Sequence, residues 1–195
     1  MAQRGSYAKG VAKREEILER ALDVIATEGY SGASVKRIAE AVGLSQAGLL
    51  HYFDSKEELF TEVLRKRDEH DAQHFGVLPD VAETDSEKAR AGFVRVIRHN
   101  ADVPGLVELF SRLAVEAAHP DHPAHAYFVE RGTALREAFA LTPAPETLSP
   151  DVFARILQAV ADGLQLQWLL DPTIDMAEIV DQLFAALQPR ESSTR

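Results

Sequence analysis

The strongest constraint on the fold lies in residues 35–54, where two short helical segments are separated by a glycine. Ala39 stands where a second helix, crossing at a steep angle, requires a small side chain. Gly43, four positions later, tolerates the positive φ that a tight turn needs. Apolar residues on both segments supply a shared core, namely Ile38, Val42, Leu44, Leu49 and Phe53. This spacing predicts a helix-turn-helix.

Capping residues and apolar periodicity set the expected helix limits in this region. Apolar residues at helical spacing predict a helix from Lys13 to Tyr30, with Gly29 ending it in a left-handed conformation. Ser34 is the expected N-cap of a helix over 35–41, and Ser45 that of a helix through about Tyr52. Residues 55–58 read Ser-Lys-Glu-Glu, a capping box that opens a long helix towards His74.

The rest of the chain also has the pattern of helices, and no segment alternates like a strand. The Thr84–Glu87 capping box is expected to open a helix that ends at about Asn100. Further helices are expected at 104–118, 124–141, 149–170 and 175–187, with breaks at 77–85, 119–123 and 142–150. The predicted fold is all-α with about nine helices. We expect a three-helix domain at 1–55, a larger helical domain at 56–188, and a flexible tail at 189–195.

A helix-turn-helix places the N-terminal residues of its second helix against base edges in the major groove. The small pair Ala47 and Gly48 would let the backbone approach the groove closely. Helix N-termini capped by Ser34 and Ser45 favour phosphate, and Lys56 can reach the flanking strand. The DNA-binding candidates are Ser34, Lys36, Ser45, Gln46, Ala47, Gly48, Leu50, His51, Tyr52 and Lys56.

Four stretches carry a more specific pattern: Ile17–Tyr30, Ala33–Ser45, Leu49–Phe53 and Ser55–Phe60. They resemble the TetR (tetracycline repressor-like) family of transcriptional regulators, over about residues 13–60 without a gap. The family often has Gly-Thr-Leu-Tyr where this chain has Ala-Gly-Leu-Leu at 47–50, so the departure falls on the recognition helix.

The resemblance implies a homodimer whose two recognition helices bind a palindromic double-stranded DNA operator. It also implies a small-molecule effector, of unspecified identity, that binds the larger domain and releases the DNA, so that the protein acts as a repressor. In this family the last two helices usually form the dimer interface, here 149–170 and 175–187. Residues 149–170 are apolar on two faces, which indicates two partners. The alternative is a central helix of a monomeric core.

A helical body of this size tends to hold a cavity in which a few polar groups orient a ligand. The ligand-binding candidates are Phe93, His99, Phe110, Tyr127, Phe128, Phe153, Gln165 and Trp168. For each aromatic residue, a place in the core is the competing interpretation.

Charge is distributed unevenly along the chain. The net charge is −10, yet residues 1–56 hold 8 basic and 7 acidic side chains, a net +1, which leaves −11 on the remainder. An acidic body should repel the duplex except where the N-terminal region docks. The charged run at 65–71 is expected to be a solvated face.

Other functions find less support in the sequence. His70 and His74 have metal-ligand spacing, and His119, His122 and His125 cluster beside an aspartate, but a solvated face and helix capping are the stronger explanations. A metal-assisted hydrolase and a helical interaction module without DNA binding remain alternatives. We expect no catalytic residue, no cofactor and no metal. With no cysteine and no membrane-spanning or secretory segment, a cytoplasmic protein is expected.

Overall fold

The computed structural model describes residues 2–76, 86–140, 144–145 and 147–187, and this part of the chain forms nine helices and no strand. The helices are α1 (Ala2–Gly32), α2 (Val35–Ala41), α3 (Gln46–Leu49), α4 (Lys56–Phe75), α5 (Ser86–Asn100), α6 (Pro104–Glu116), α7 (His125–Ala140), α8 (Pro150–Leu170) and α9 (Met176–Leu187). The predicted all-α class is confirmed. No described helix is both long enough and apolar enough to cross a bilayer.

The predicted helix limits hold where a cap or a proline sets them, as at α2 and α8. Two limits differ. α1 begins at Ala2 rather than at Lys13, because residues 2–12 have no apolar stripe that would reveal a helix. Gly29 has φ 73° and ψ 167°, a positive φ but not the left-handed helical conformation, and helical structure resumes after it. The loop 77–85 with Thr84, part of 142–150, and the tail 189–195 lie outside the described residues.

The chain divides into two compact units. The first contains the described residues up to His70 together with Val103–Tyr127. In it α2 packs on α1 and α3 packs on α2, with Ile38 and Leu49 fully buried, while Leu44 is only half-buried. α6 meets α1 at Gly105: a Cβ added there would lie 2.7 Å from the Cα of Gly29. This contact therefore joins backbone to backbone.

The second unit contains Asp71–Asp102 and the described residues from Phe128 onward. Its core includes the ring of Phe93, edge-on to Phe139 at 4.7 Å and to Phe184 at 6.3 Å between centroids. Arg90 donates to Asp181 at 2.7 Å and so ties α5 to α9. The predicted domain boundary at residue 55 stays a prediction, since these units divide the chain within α4 and α7.

Part of the charged run at 65–71 is buried, so the expectation of a solvated face is wrong there. Arg67 is 6% exposed and Asp71 5% exposed. Arg67 Nη1 donates to the carbonyl of Leu106 at 3.5 Å, a residue of α6. Asp68 accepts a hydrogen bond of 2.6 Å from the hydroxyl of Tyr127. Partners 39 and 59 residues away, invisible to local periodicity, draw this face into the first unit.

Candidate nucleic-acid interface

The second helix of the helix-turn-helix is short and is held by its N-cap. Ser45 Oγ accepts a hydrogen bond of 3.0 Å from the backbone N–H of Gly48. This bond satisfies one of the donors that a helix start leaves open. The helix ends at Leu49, earlier than expected, although the N–H of His51 still donates to the carbonyl of Ala47 at 3.1 Å. The turn towards Tyr52 thus keeps a helical hydrogen-bond pattern.

The candidate base-reading side chains are accessible to different degrees. Gln46, Ala47 and His51 are exposed, whereas Leu50 and Tyr52 are half-buried. Leu49, between them, is fully buried and fixes the orientation of the helix. The exposed positions are therefore those of the first turn and of residue 51, which is the pattern expected for a helix that enters a groove by its N-terminus.

Gly48 has a structural reason for being glycine beyond close approach to DNA. A Cβ at this position would lie 3.2 Å from Ser45 Oγ, tighter than an ordinary van der Waals contact. The same hydroxyl accepts the hydrogen bond that caps α3. A larger residue at 48 would therefore disturb the cap as well as the surface.

Ser34 forms the matching cap on α2, where its Oγ accepts from the N–H of Arg37 at 3.1 Å. Lys36, in the first turn of α2, has 76% of its side chain exposed. Its Nζ lies 4.0 Å from Oε1 of Glu40, one turn further along the helix. A pair this long and exposed contributes little stability. The Lys36 ammonium is accordingly available for a phosphate.

Arg37 is positioned very differently from its neighbour Lys36. Its Nε donates to both carboxylate oxygens of Glu28, at 2.8 and 2.9 Å. The hydrogen bond and the charge of Arg37 lower the pKa of Glu28, and the same contacts raise the pKa of Arg37. This guanidinium joins the first helix to the second and is committed to Glu28. Sequence spacing gave no sign of the pair, because its members lie on different helices.

Two further basic side chains of the N-terminal region also bind partners within the chain. Lys13 donates to Glu16 at 2.8 Å and to the carbonyl of Val42 at 3.1 Å. Arg14 bridges to Glu58 at 3.2 Å and Glu62 at 3.1 Å, and so holds α1 against α4. The small positive charge of residues 1–56 is therefore largely internal.

Lys56 lies at the start of α4 beside a well-formed cap. Ser55 Oγ accepts from the N–H of Glu58 at 3.0 Å, and the Glu58 carboxylate accepts from the N–H of Asp54. The predicted capping box is confirmed. The exposed Lys56 ammonium lies 5.4 Å from the ring centroid of Phe60, a cation–π distance. With Lys9 and Lys36, it makes a set of three exposed lysines whose ammonium groups form no close ion pair among the described residues.

The eight ligand-binding candidates divide between the two units. Phe110 and Tyr127 belong to the first, and the other six to the second. Phe93 and Phe153 are 6% and 1% exposed and belong to the core, whereas His99 and Phe128 are half-buried. The ring of His99 stacks 5.1 Å from that of Phe75. Their role in ligand binding stays a prediction.

Two of the candidates stand out chemically. Gln165 is 5% exposed, and no donor in the described chain reaches its Oε1. A buried acceptor without a donor is costly and calls for an explanation. Trp168, three residues later, lines a cavity that sequence periodicity could not indicate. As for metals, the described residues contain no group of three or more His, Cys, Asp or Glu side chains placed to hold an ion.

Comparison with known proteins agrees with this geometry. The sequence profile of bacterial regulatory proteins of the tetR family matches residues 17–63. The HTH-type transcriptional repressor AcnR of Corynebacterium efficiens is 40% identical over 96 residues, which cover 49% of this chain and 44% of AcnR. The HTH-type transcriptional regulator PksA of Bacillus subtilis is 27% identical over 82% of this chain and 80% of PksA. The match to AcnR thus spans less than half of that protein's length.

Solved structures share the fold. A transcriptional regulator from Rhodococcus sp. Rha1 superimposes with a TM-score of 0.65 at 22% identity, over 89% of this chain and 95% of that one. The repressor FadR of Thermus thermophilus, in complex with lauroyl-CoA, gives a TM-score of 0.61 at 19% identity, over 93% and 98% of the two chains. The profile match thus assigns residues 17–63, the capped helix-turn-helix region, to the tetR family of bacterial regulatory proteins, and the solved structures share the fold of the larger part of the chain.

Proposed function

We propose that this chain is a ligand-responsive transcriptional regulator, acting as a repressor in the cytoplasm. In this proposal it binds a palindromic DNA operator as a homodimer and is released by a small-molecule effector. The observation that carries the proposal is the exposed first turn of α3, with Gln46 and Ala47 outward, Leu49 buried and Ser45 capping the helix. Such a turn is built to present side chains to base edges.

Base reading and phosphate binding fall to different residues in this proposal. Gln46 can form two hydrogen bonds with the major-groove edge of an adenine, which discriminates bases by about 1–3 kcal/mol. Lys36 and Lys56 supply charge for the phosphates, and the capped N-termini of α2 and α3 add backbone donors. Because few cations are available, affinity should depend on two copies of the domain binding one operator.

The proposed dimer interface is the outer face of α8 and α9. Of the seven exposed large apolar side chains in the described chain, four lie on these helices: Val152, Leu166, Leu170 and Ile179. Leu166 and Leu170 are 52% and 88% exposed and lie one turn apart. Apolar side chains clustered this way mark an interaction surface, and the family resemblance favours a second copy of the chain.

The proposed effector response rests on the buried amide of Gln165. A ligand donor at its Oε1 would satisfy an acceptor that the described protein leaves open. In the family, FadR of T. thermophilus was solved with lauroyl-CoA bound. An effector that prefers a dimer with wrongly spaced recognition helices lowers DNA affinity by population shift.

The DNA proposal is tested by selecting bound duplexes from a random library with the full chain. We expect a palindrome whose half-sites lie one helical turn, or a multiple of it, apart. Gln46→Ala should change the preferred base at one position. Lys56→Ala should instead weaken binding to all DNA sequences alike, and it should lower the slope of log affinity against log salt concentration by about one unit. The matched control is Arg37→Gln, which should leave the slope unchanged. No enrichment at low salt would favour an interaction module instead.

The dimer proposal is tested by sedimentation of the full chain. Leu166→Asp places a charge in the proposed interface and should convert the dimer to a monomer. Val129→Asp is the matched control, because Val129 on α7 is 54% exposed and lies outside that surface. A dimer that survives the first substitution but not the second would place the interface elsewhere.

A further inference from the structure

A cavity of about 350 Å³ lies within the second unit, where the end of α5 meets the end of α8 and the start of α9. This volume is near the lower end of the roughly 300–1,000 Å³ usual for small-ligand pockets. Three buried side chains form its apolar floor: Ile97 at 3% exposure, Trp168 at 6% and Met176 at 2%. Gln165, on which the proposed effector response rests, is not among the lining residues.

The floor carries one polar group. Trp168 is 94% buried, and its indole N–H has no acceptor in the described chain. Tryptophan N–H groups usually find a partner when the ring is buried. Because Trp168 lines the cavity, an acceptor on a bound ligand can take this N–H.

The rim carries opposite charges that do not neutralise each other. Arg98 and Asp102 both line the cavity: Arg98 lies in the last turn of α5 and Asp102 in the turn that follows this helix. Neither an ion pair nor a hydrogen bond joins them, and the exposed Arg98 guanidinium has no carboxylate partner in the described chain. The carboxylate of Asp102 lies 3.8 Å from His99 Nδ1. A third charged rim residue, Asp175, is already used, since its Oδ1 accepts from the N–H of Glu178 at 2.9 Å.

We propose that this cavity binds a small zwitterion with an apolar side chain, of the kind of an aromatic or branched α-amino acid. The ligand carboxylate pairs with Arg98 and accepts from the Trp168 N–H, and the ammonium pairs with Asp102. Both side chains line the same cavity, so adjacent charged groups of one ligand can reach both. The apolar side chain packs on Ile97, Trp168 and Met176.

The site selects both charges together. A plain carboxylic acid would leave Asp102 facing its anion, and a plain amine would lie beside the Arg98 cation. Only a molecule that carries both charges satisfies the two rim groups and the indole donor at once. This site is additional to the operator and effector binding proposed above, and it can exist whether or not its ligand affects DNA.

Trp168 makes the proposal directly measurable, because it is the one tryptophan of the chain. Titration of the full chain with L-phenylalanine should give a saturable change in tryptophan emission, matched by heat in calorimetry. The two singly charged analogues, 3-phenylpropionate and phenethylamine, should each bind at least about tenfold more weakly, the loss expected for one charge-assisted contact. A carboxylate that binds as tightly as the amino acid would overturn the zwitterion assignment.

Variants test the residues. Arg98→Gln and Asp102→Asn should each weaken L-phenylalanine binding about tenfold or more, and Ala101→Leu should block it by filling the cavity. Arg155→Gln is the matched control, since Arg155 is an exposed arginine on α8 that pairs with Asp151. Binding that survives Arg98→Gln and Ala101→Leu unchanged would place the ligand elsewhere. No emission change and no heat with either L-phenylalanine or L-leucine would overturn the proposal.

Discussion

Two regions of the chain differ in how they cover their apolar side chains: the helix-turn-helix region, residues 13–60, and the pair of helices α8 and α9. Residues 13–60 contain no exposed large apolar side chain, and their centre, including Ile38 and Leu49, is fully buried. Helices α8 and α9 leave Leu166 and Leu170 in solvent. The first region completes its core within one chain, whereas the second leaves apolar side chains uncovered, and the proposed dimer would cover them. In this proposal the DNA-binding region is complete in the monomer, and only the α8–α9 surface needs a second copy.

The largest expected effect is a difference in stability between two leucine-to-alanine substitutions, one in each region. Leu49→Ala removes a fully buried side chain and should lower the free energy of unfolding by about 3 kcal/mol, the usual cost of such a truncation. Leu170→Ala, at a residue 88% exposed, should change monomer stability by less than about 0.5 kcal/mol while weakening the dimer. Denaturant unfolding at low protein concentration measures the first effect, and sedimentation the second. If both substitutions lowered the free energy of unfolding equally, the contrast between a buried centre and an exposed face would be wrong.

The next prediction compares two glycines. A Cβ at residue 105 would press on the backbone of α1 at Gly29, so Gly105→Ala should cost about 2–3 kcal/mol by forcing α6 away. At Gly163 in α8 nothing lies within 4 Å of an added Cβ. Gly163→Ala should therefore raise helix stability by about 0.5–1 kcal/mol in the monomer. Thermal unfolding checks both, and a neutral Gly105→Ala would mean that α6 and α1 can separate freely.

A smaller effect is expected from two identical helix caps. Ser45 accepts from Gly48 N–H at 3.0 Å and Ser149 accepts from Val152 N–H at 3.3 Å. Replacing either by alanine should cost about 1 kcal/mol of stability. Only Ser45→Ala should also reduce operator affinity, since α3 is the helix proposed to enter DNA. If Ser149→Ala reduced DNA binding as much, the loss of either cap would act on operator affinity only by destabilising the fold.

The smallest effects concern pH and have opposite signs. Arg37 lowers the pKa of Glu28, so this pair stabilises the fold above the ordinary carboxyl pKa and the contribution is lost as pH falls. Burial raises the pKa of Asp162, against the opposing charge of Arg131, so its cost to stability grows as pH rises above the ordinary pKa. Unfolding at several pH values should show Glu28→Gln destabilising at neutral pH and Asp162→Asn stabilising there. Both differences should vanish in acid.

Local chemistry made much of the fold predictable. The caps at Ser34, Ser45, Ser55 and Ser149 bind a backbone N–H three residues on. A cap of this kind needs no information from the rest of the chain, so residue identity and spacing suffice. The helix-turn-helix was predictable for a similar reason, because the spacing of Ala39 and Gly43 and the apolar positions around them are local.

Contacts between distant residues could not be predicted in this way. The bridge from Arg14 to Glu58 spans 44 residues, and Arg67 meets the carbonyl of Leu106 across 39. The sequence marks each of these side chains as charged but does not say which neighbour will cover it. For that reason the burial of Arg67 and the commitment of Arg37 to Glu28 emerged only from packing.

The glycine contact between α1 and α6 has a mechanical consequence. Most helix pairs meet through side chains, whose rotamers can change and absorb a small displacement. At Gly29 and Gly105 the two main chains touch with no side chain between them, so this joint is stiff. A shift of the first turn of α6 would therefore press directly on the backbone of α1, five residues before the Ser34 cap of α2.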